Sequence, residues 1–319
     1  MSQPGCVMLR AVISDQDAPS WVADLRAQGM TALWSDAGHC WVRFKRFGQL
    51  RYPTNDVAPI TEAERRELLW RRRLAVLQYH VLAGDHPANA SLYLCSDKGY
   101  SIDSLSSNNR SKVRRGLKRL EVRQISAREV IERGYDSYAD TRQRHGSTMM
   151  THPEFVANWL RQLDVPDREI WGAWSGEELA AFGTVHLCGR WAAISATVSN
   201  RAHLKDYPNH ALFFRMLEHL MAKPEVETVS YGLSSVRSET ARDSLHSFKV
   251  SIGLEAVPVR RHVVLHPLLR PVVNRPGLAG ARLAERVAPH SRIPRAARAS
   301  IEFLLDPDGE PVSLEVEEP

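Results

Sequence analysis

Asp243, His246 and Lys249 stand at three-residue intervals near the end of a predicted helix, so they can face one side of it together. In such a row the histidine can exchange a proton near neutral pH, the aspartate can orient it, and the lysine supplies a cation. Tyr231, at the end of the preceding predicted strand, offers a phenol as a proton donor. A second group follows Pro208 at a predicted helix start: Asn209, His210 and Ala211. Amides there lack intrahelical partners, and the helix dipole favours an anion in front of them. Arg201 and Lys205 add charge just upstream. A third group is Arg110 and Arg114, within a run (106–123) that carries seven Lys or Arg around a narrow seam of Val113, Leu117 and Leu120. Each group has a plainer reading: a solvated helix face for the row, a core tyrosine, an ordinary polar loop, a connecting helix. His186 alternates with Val185 and Leu187 in a strand pattern and reads as a structural histidine.

These residues need elements to hold them. Residues 191–199 read as a buried strand, 200–207 as a polar turn, 208–221 as a helix with Leu212, Met216, Leu217 and Leu220 on one face, and 226–231 as a second strand. A polar loop over 232–237 leads to a helix from 239 to about 251, ended by Gly253. Strand, helix, strand in this order is a crossover between parallel neighbours, and the carboxyl ends of its strands form the expected working mouth.

Elsewhere the pattern predicts a strand at 7–13, a helix at 18–28, a hairpin of 31–34 with 39–44, a helix begun by the capping box of Thr61 and Glu64, and strands at 74–82 and 91–95. Ser126 with Glu129 opens a helix reaching about 146, and Thr151 with Glu154 another reaching 163. Strands at 169–174 and 178–188 precede the crossover, and a last strand spans 254–265. From 267 to 298 there are seven Arg against the single acid Glu285; from 300 on there are seven acids and no Lys or Arg. This tail reads as draped over the body, or as an arm for a membrane surface or partner, with a short helix over 278–287.

At 319 residues the chain suits two domains. A net charge of +5 and a pI near 9.1 suit an anionic partner without naming it. No apolar run is long enough to span a membrane, and Met1-Ser-Gln-Pro-Gly5 has no signal pattern. Cys6, Cys40, Cys95 and Cys188 form no C-x-x-C pair, so reduced thiols, a cytoplasmic location and no metal are expected.

Three motifs carry a resemblance. They are the basic segment Leu105-Ser-Ser-Asn-Asn-Arg-Ser-Lys-Val-Arg-Arg-Gly-Leu-Lys118, Tyr207-Pro-Asn-His-Ala-Leu-Phe-Phe-Arg215 entering the crossover helix, and Phe248-Lys-Val-Ser-Ile-Gly253 before the last strand. In order and spacing they resemble the GNAT acyltransferase fold. More narrowly they are similar to its FemAB-like branch, the peptidoglycan-bridge aminoacyltransferases and related acyltransferases of polysaccharide clusters. The resemblance covers roughly 51–265. It implies an α/β protein of two tandem GNAT-like halves with mixed sheets flanked by helices: 1–105, a basic connecting helix at 106–124, and 125–265, followed by a tail at 266–319.

The resemblance also implies an N-acyltransferase that moves an acyl or aminoacyl group from acyl-CoA, or from aminoacyl-tRNA, to an amine of a cell-envelope precursor or related metabolite. Lys249 would then be a phosphate-binding or oxyanion-stabilising cation. Two family features are missing. Residues 200–211 contain no glycine, so the Q/R-x-x-G-x-G/A pyrophosphate loop is absent, and there is no long helical hairpin in the second half, which disfavours aminoacyl-tRNA. A non-catalytic binding module and an RNA-binding protein using the basic helix are the alternatives. The lack of aromatic residues in that helix weighs against RNA.

Overall fold

The structure is a computed structural model that describes residues 30–44, 48–54, 56–84, 87–145, 147–163, 167–235, 241–269 and 273–288, with isolated positions elsewhere. A hairpin of β1 (Ala32–Trp34) and β2 (Cys40–Phe44) turns at Gly38, whose φ of 82° suits glycine, and β3 (Gly48–Tyr52) extends it. Helix α1 (Glu62–Arg66) runs into a π-helical turn over Glu67–Arg71, followed by β4 (Val76–Leu82) and β5 (Ala90–Cys95). The basic helix α2 (Ser107–Arg119) leads to β6 (Glu121–Gln124). Helices α3 (Ala127–Arg133), α4 (Tyr135–Arg144) and α5 (His152–Leu160) precede a meander of β7 (Arg168–Ser175), β8 (Glu178–Cys188) and β9 (Trp191–Ser199). A 3-10 segment, Arg201–Asp206, enters α6 (Pro208–Ala222); then come β10 (Thr228–Ser235), α7 (Ala241–Ser251), β11 (Glu255–Leu265) and α8 (Arg275–Val287).

Among the described residues, eleven strands form one mixed sheet, in the order β1-β2-β3-β4-β11-β5-β10-β9-β8-β7-β6. The last strand crosses back into the first half: β11 lies between β4 and β5, and β10 pairs with β5. Only β3–β4 and β9–β10 are parallel among the pairs. Alternate residues of β7 and β8 enter different cores, as a pleated strand requires. Trp171, Ala181 and Val185 meet Leu212, Phe213, Met216 and Leu217 of α6, whereas Ile170 and Phe182 meet Val130, Tyr138, Phe155 and Trp159 of α3 to α5. The second half of the sheet is therefore covered on both faces, with α6 on one of them flanked by α2 and α7.

Several expectations change in detail. The strands β3 and β6 were not anticipated, because Gly-Gln-Leu-Arg-Tyr lacks an apolar run and β6 lies inside the basic segment. The helix expected from 126 to 146 is two helices that meet at Gly134, where a Cβ would stand 2.7 Å from Val130 O and 3.1 Å from the Phe182 ring. Of the expected capping box, Thr61 accepts from Glu64 N at 3.1 Å, but the Glu64 carboxylate turns inward. It accepts from Ser35 Oγ at 2.7 Å and Trp41 Nε1 at 3.2 Å, and pairs with His39 Nδ1 at 2.9 Å. The predicted loop at 232–237 is strand as far as Ser235. The strand expected at 7–13 lies outside the described residues, as do most of the helix at 18–28 and half of the tail. Among the described residues no helix is long and apolar enough to cross a membrane.

Candidate active site

β9 and β10 pair only over Trp191–Thr228, Ala192–Val229 and Ala193–Ser230, although the strands continue to Ser199 and Ser235. Beyond Ala193 and Ser230 they part and form a fork. Irregularities flank the parting on both sides. In the β8–β9 ladder Thr184 faces Ala196 and Val185 faces Ile194, so Ser195 is an extra residue with no partner across the ladder. In the β5–β10 ladder the register breaks between Ser230 and Leu233, leaving out Tyr231 and Gly232, the latter at φ 61°. Such bulges bend a strand and re-aim its side chains.

Lys249 of α7 fills the α6 side of this fork and is 4% exposed. Its Nζ donates to Tyr231 O at 3.0 Å, a carbonyl that the bulge has taken out of the ladder. The ammonium lies 4.3 Å from the Tyr93 ring centroid and 4.5 Å from that of Tyr231, a geometry in which ring faces attract a cation. It has no carboxylate partner among the described residues, and burial lowers its pKa from 10.5 to about 8. Tyr231 Oη and Thr197 Oγ1 are 2.8 Å apart across the open fork; burial raises the phenol's pKa, keeping it a neutral donor. Tyr93 Oη and His246 Nδ1 share a 2.7 Å hydrogen bond, so one β5 tyrosine touches two of the three members of the predicted helix row. His246 itself is exposed, and the Asp243 side chain lies outside the described residues.

The start of α6 stands beside this group. Tyr207, at φ 57°, ends the 3-10 segment, and no side chain caps the helix that Pro208 begins. Ala211 N donates to Tyr207 O at 3.1 Å, so the expectation of a free amide there is corrected: Ala211 is already in the first intrahelical bond. The amides of Asn209 and His210 lie before that bond. Asn209 Nδ2 donates to Ser199 Oγ at 3.2 Å, while its Oδ1 is buried without a partner among the described residues. Burial, then the charge of Lys112, lowers the His210 pKa to about 4, so the ring is neutral at pH 7; it packs edge-on against Phe248 with centroids 5.1 Å apart.

Arg201, expected to supply charge here, is ion-paired to Asp140 of α4, a carboxylate that also accepts from Arg201 N at 2.8 Å. That pairing commits it to bracing the 3-10 segment. Lys205 is exposed on the same segment.

The basic helix lies directly against this start. A Cβ at Gly116 of α2 would stand 2.9 Å from Ala211 Cβ and 3.1 Å from Tyr207 O, so only glycine allows the approach. Arg119 pairs with Asp206 at 2.7 Å, and the Arg115 guanidinium lies 5.8 Å from the Tyr207 ring centroid. Outward, Ser107, Arg110, Ser111, Arg114, Arg115 and Lys118 line one shallow depression. Arg110 is held there by Asp103 at 3.0 Å, whereas Arg114 has no ion-pair partner among the described residues. Gly116→Ala should push α2 off the start of α6 and destabilise the fold by about 1–3 kcal/mol. Urea unfolding measures this, and an unchanged midpoint would show that the contact gives way freely.

The other face of the fork carries a polar group that the sequence pattern left as structural. Ser195, exposed, lies 2.6 Å by Oγ from Thr184 Oγ1 and 3.0 Å from Nε2 of His186, which is only 5% exposed. Thr184 and His186 share a face with Phe182, opposite α6, by strand alternation. Ser230 alternates with the α6-facing Val229 and so lies on that same side; its Oγ is buried without a partner among the described residues. Tyr93, Thr197 and the Ser195–His186 pair are thus the site residues that sequence reasoning missed. Bulges and long-range strand neighbours leave no local signal. Among the described residues no cluster of three or more His, Cys, Asp or Glu is placed to hold a metal.

No family model matches the chain. The uncharacterized N-acetyltransferase YsnE of Bacillus subtilis (strain 168) is 31% identical over 110 residues, which cover 33% of this chain and 70% of that protein. Among solved structures, FemX superposes with a TM-score of 0.55 at 11% identity, over 79% of this chain and 93% of FemX. The C-terminal domain of a candidate lysylphosphatidylglycerol synthetase from Agrobacterium fabrum superposes with a TM-score of 0.52 at 12% identity, over 78% of this chain and 87% of that one.

Proposed function

Because the chain belongs to the GNAT N-acetyltransferases, we propose that it is of their FemAB-like branch and that it moves an acyl or aminoacyl group from a thioester or ester donor, acyl-CoA first among them, to an amine of a cell-envelope precursor or related metabolite. The observation that carries this reading is the fork between β9 and β10, with a buried, carboxylate-free lysine on one face and a Ser–His pair on the other. The donor's phosphates lie against the Asn209 and His210 amides, with Lys112 of α2 beside them. The acyl carbon reaches the fork, where the Lys249 ammonium stabilises the tetrahedral oxyanion.

The acceptor nitrogen arrives from the opposite face. As the C–N bond forms, its proton passes to Ser195 Oγ while the Ser195 proton passes to His186 Nε2. The C–S or C–O bond of the donor breaks, and Tyr231, hydrogen-bonded to Thr197, protonates the leaving group. The reaction is placed in the cytoplasm, where acyl-CoA and aminoacyl-tRNA are found.

The test is thiol release from acetyl-CoA and longer acyl-CoAs with a panel of primary amines, beside melting shifts with the same donors. A donor that binds the native state must raise the melting temperature. Turnover with an acyl-CoA supports the reading; neither shift nor turnover with acyl-CoA or with aminoacyl-tRNA would leave a non-catalytic binding module. Lys112→Glu should weaken acetyl-CoA binding about tenfold or more at unchanged melting temperature. An unchanged Kd would remove α2 from the donor site.

A further inference from the structure

α8 is a helix with no buried residue. Its half-buried positions, Gly277, Leu278, Ala281 and Glu285, form the side turned to the protein, and Asn274 caps it by accepting from Gly277 N at 2.7 Å. On a helix that advances about 100° per residue, Arg275, Arg282 and Arg286 fall within about 40° of one another on the outer side. Leu283 and Val287 lie next to them on that side. The helix's one acid does not oppose this stripe: Glu285 is engaged by Arg298 at 2.6 Å. Arg282 reaches Glu302 at 2.8 Å, and Arg275 and Arg286 have no ion-pair partner among the described residues.

The apolar side chains matter as much as the charge. Val287 is 79% exposed, Leu268 in the turn just before the helix is 72% exposed, and Leu283 is 62% exposed. They are the three most exposed large apolar side chains among the described residues, and two of them, Leu283 and Val287, lie on the helix beside the arginine stripe. A lone exposed leucine means little. Exposed apolar tips interleaved with unpaired guanidinium groups have a specific complement, an anionic headgroup layer above acyl chains. An acidic protein surface would satisfy the arginines and leave the leucines and valine in water.

We infer that α8 is a surface helix that docks the protein on membranes rich in anionic lipid, with Arg275 and Arg286 on phosphate groups and Leu268, Leu283 and Val287 in the headgroup–acyl boundary. The docking is peripheral and reversible, since few side chains take part and, among the described residues, no helix is long and apolar enough to span. It is independent of acyl transfer.

Co-sedimentation of the full chain with vesicles tests it. Vesicles of phosphatidylcholine mixed with phosphatidylglycerol should bring down the protein, vesicles of phosphatidylcholine alone should not, and added salt should release it. Arg275→Glu with Arg286→Glu should weaken binding about tenfold or more, and Leu283→Ser with Val287→Ser should also weaken it, both at unchanged melting temperature. Failure of the natural chain to bind phosphatidylglycerol vesicles would overturn the inference. So would binding that survives the double Glu substitution. Binding seen only after the chain is cut at Leu305 would assign the face to the chain's own acidic end and overturn it equally.

Discussion

Lys249→Met is expected to remove most acyl transfer while leaving the protein about as stable as before. Methionine keeps the length and the apolar body of the side chain and removes only the charge. The ammonium is buried, and its contacts are a carbonyl and two ring faces. Losing a cation aimed at a developing oxyanion should lower kcat about 10²–10³-fold. Stability responds differently. Burial lowers the folded-state pKa to about 8 from 10.5, so below about pH 8 the folded chain carries a charge held less favourably than in water, by about 3 kcal/mol. Removing that charge offsets the loss of the bond to Tyr231 O, and the net change at pH 7 should stay within about 1 kcal/mol.

The same pKa sets two pH dependences. Between pH 8 and 10.5 the unfolded chain binds a proton that the folded chain has released, so stability from this group rises with pH across that window, and the rise vanishes in Lys249→Met. Activity runs the other way: the natural enzyme should lose kcat as pH rises through about 8, where the cation is neutralised. A Lys249→Met enzyme with unchanged kcat, or one that is destabilised in step with its activity, would make the lysine a packing element.

His186→Gln should cost about 10²-fold in kcat with donor affinity unchanged, because the ring receives the acceptor's proton through Ser195 and touches no part of the donor. Glutamine retains a polar group for Ser195 Oγ without a basic nitrogen. Ser195→Ala gives the same split from an exposed position where no packing is lost. The comparison separates catalysis from folding: KM for the donor and the melting temperature should hold while turnover falls. Loss of donor binding in step with turnover would place the pair in the donor pocket, and unchanged turnover in both variants would return His186 to a structural role.

Much of this site was written locally, and the missing parts were missing for physical reasons. The strands around the crossover and helix α6 announce themselves because their apolar periodicity matches one buried face and one covered face. Pro208 marks the helix start because its absent N–H costs nothing there. Lys249 was found through its Phe-Lys context. Its burial was not legible, since Tyr93, one of the two rings that enclose it, comes from a strand far away in the chain, and the bulge that aims Tyr231 at it leaves no local signal. The same distance hid the hydrogen bond from Tyr93 to His246.

Ser195 was hidden by the bulge. A run such as Trp-Ala-Ala-Ile-Ser-Ala-Thr-Val-Ser reads as one unbroken buried strand, and nothing in it says that β8 will skip one residue. Arg201 was misplaced because loop charge predicts an anion but not which one, and Asp140 is the nearer. Glu64 looked like half of a capping box until the hairpin of β1 and β2 placed Ser35, His39 and Trp41 around it. The passage of β10 and β11 into the first half of the sheet is a long-range pairing with no local signature.

In a crystal of the protein soaked with acetyl-CoA, pyrophosphate density should lie at the Asn209 and His210 amides beside Lys112, with the thioester in the fork between β9 and β10. The acetyl oxygen should sit within hydrogen-bonding reach of Lys249, and the acetyl carbon should be open to Ser195 from the opposite face. Phosphate density elsewhere, with the fork still closed by Tyr231 and Lys249, would contradict this placement of the donor.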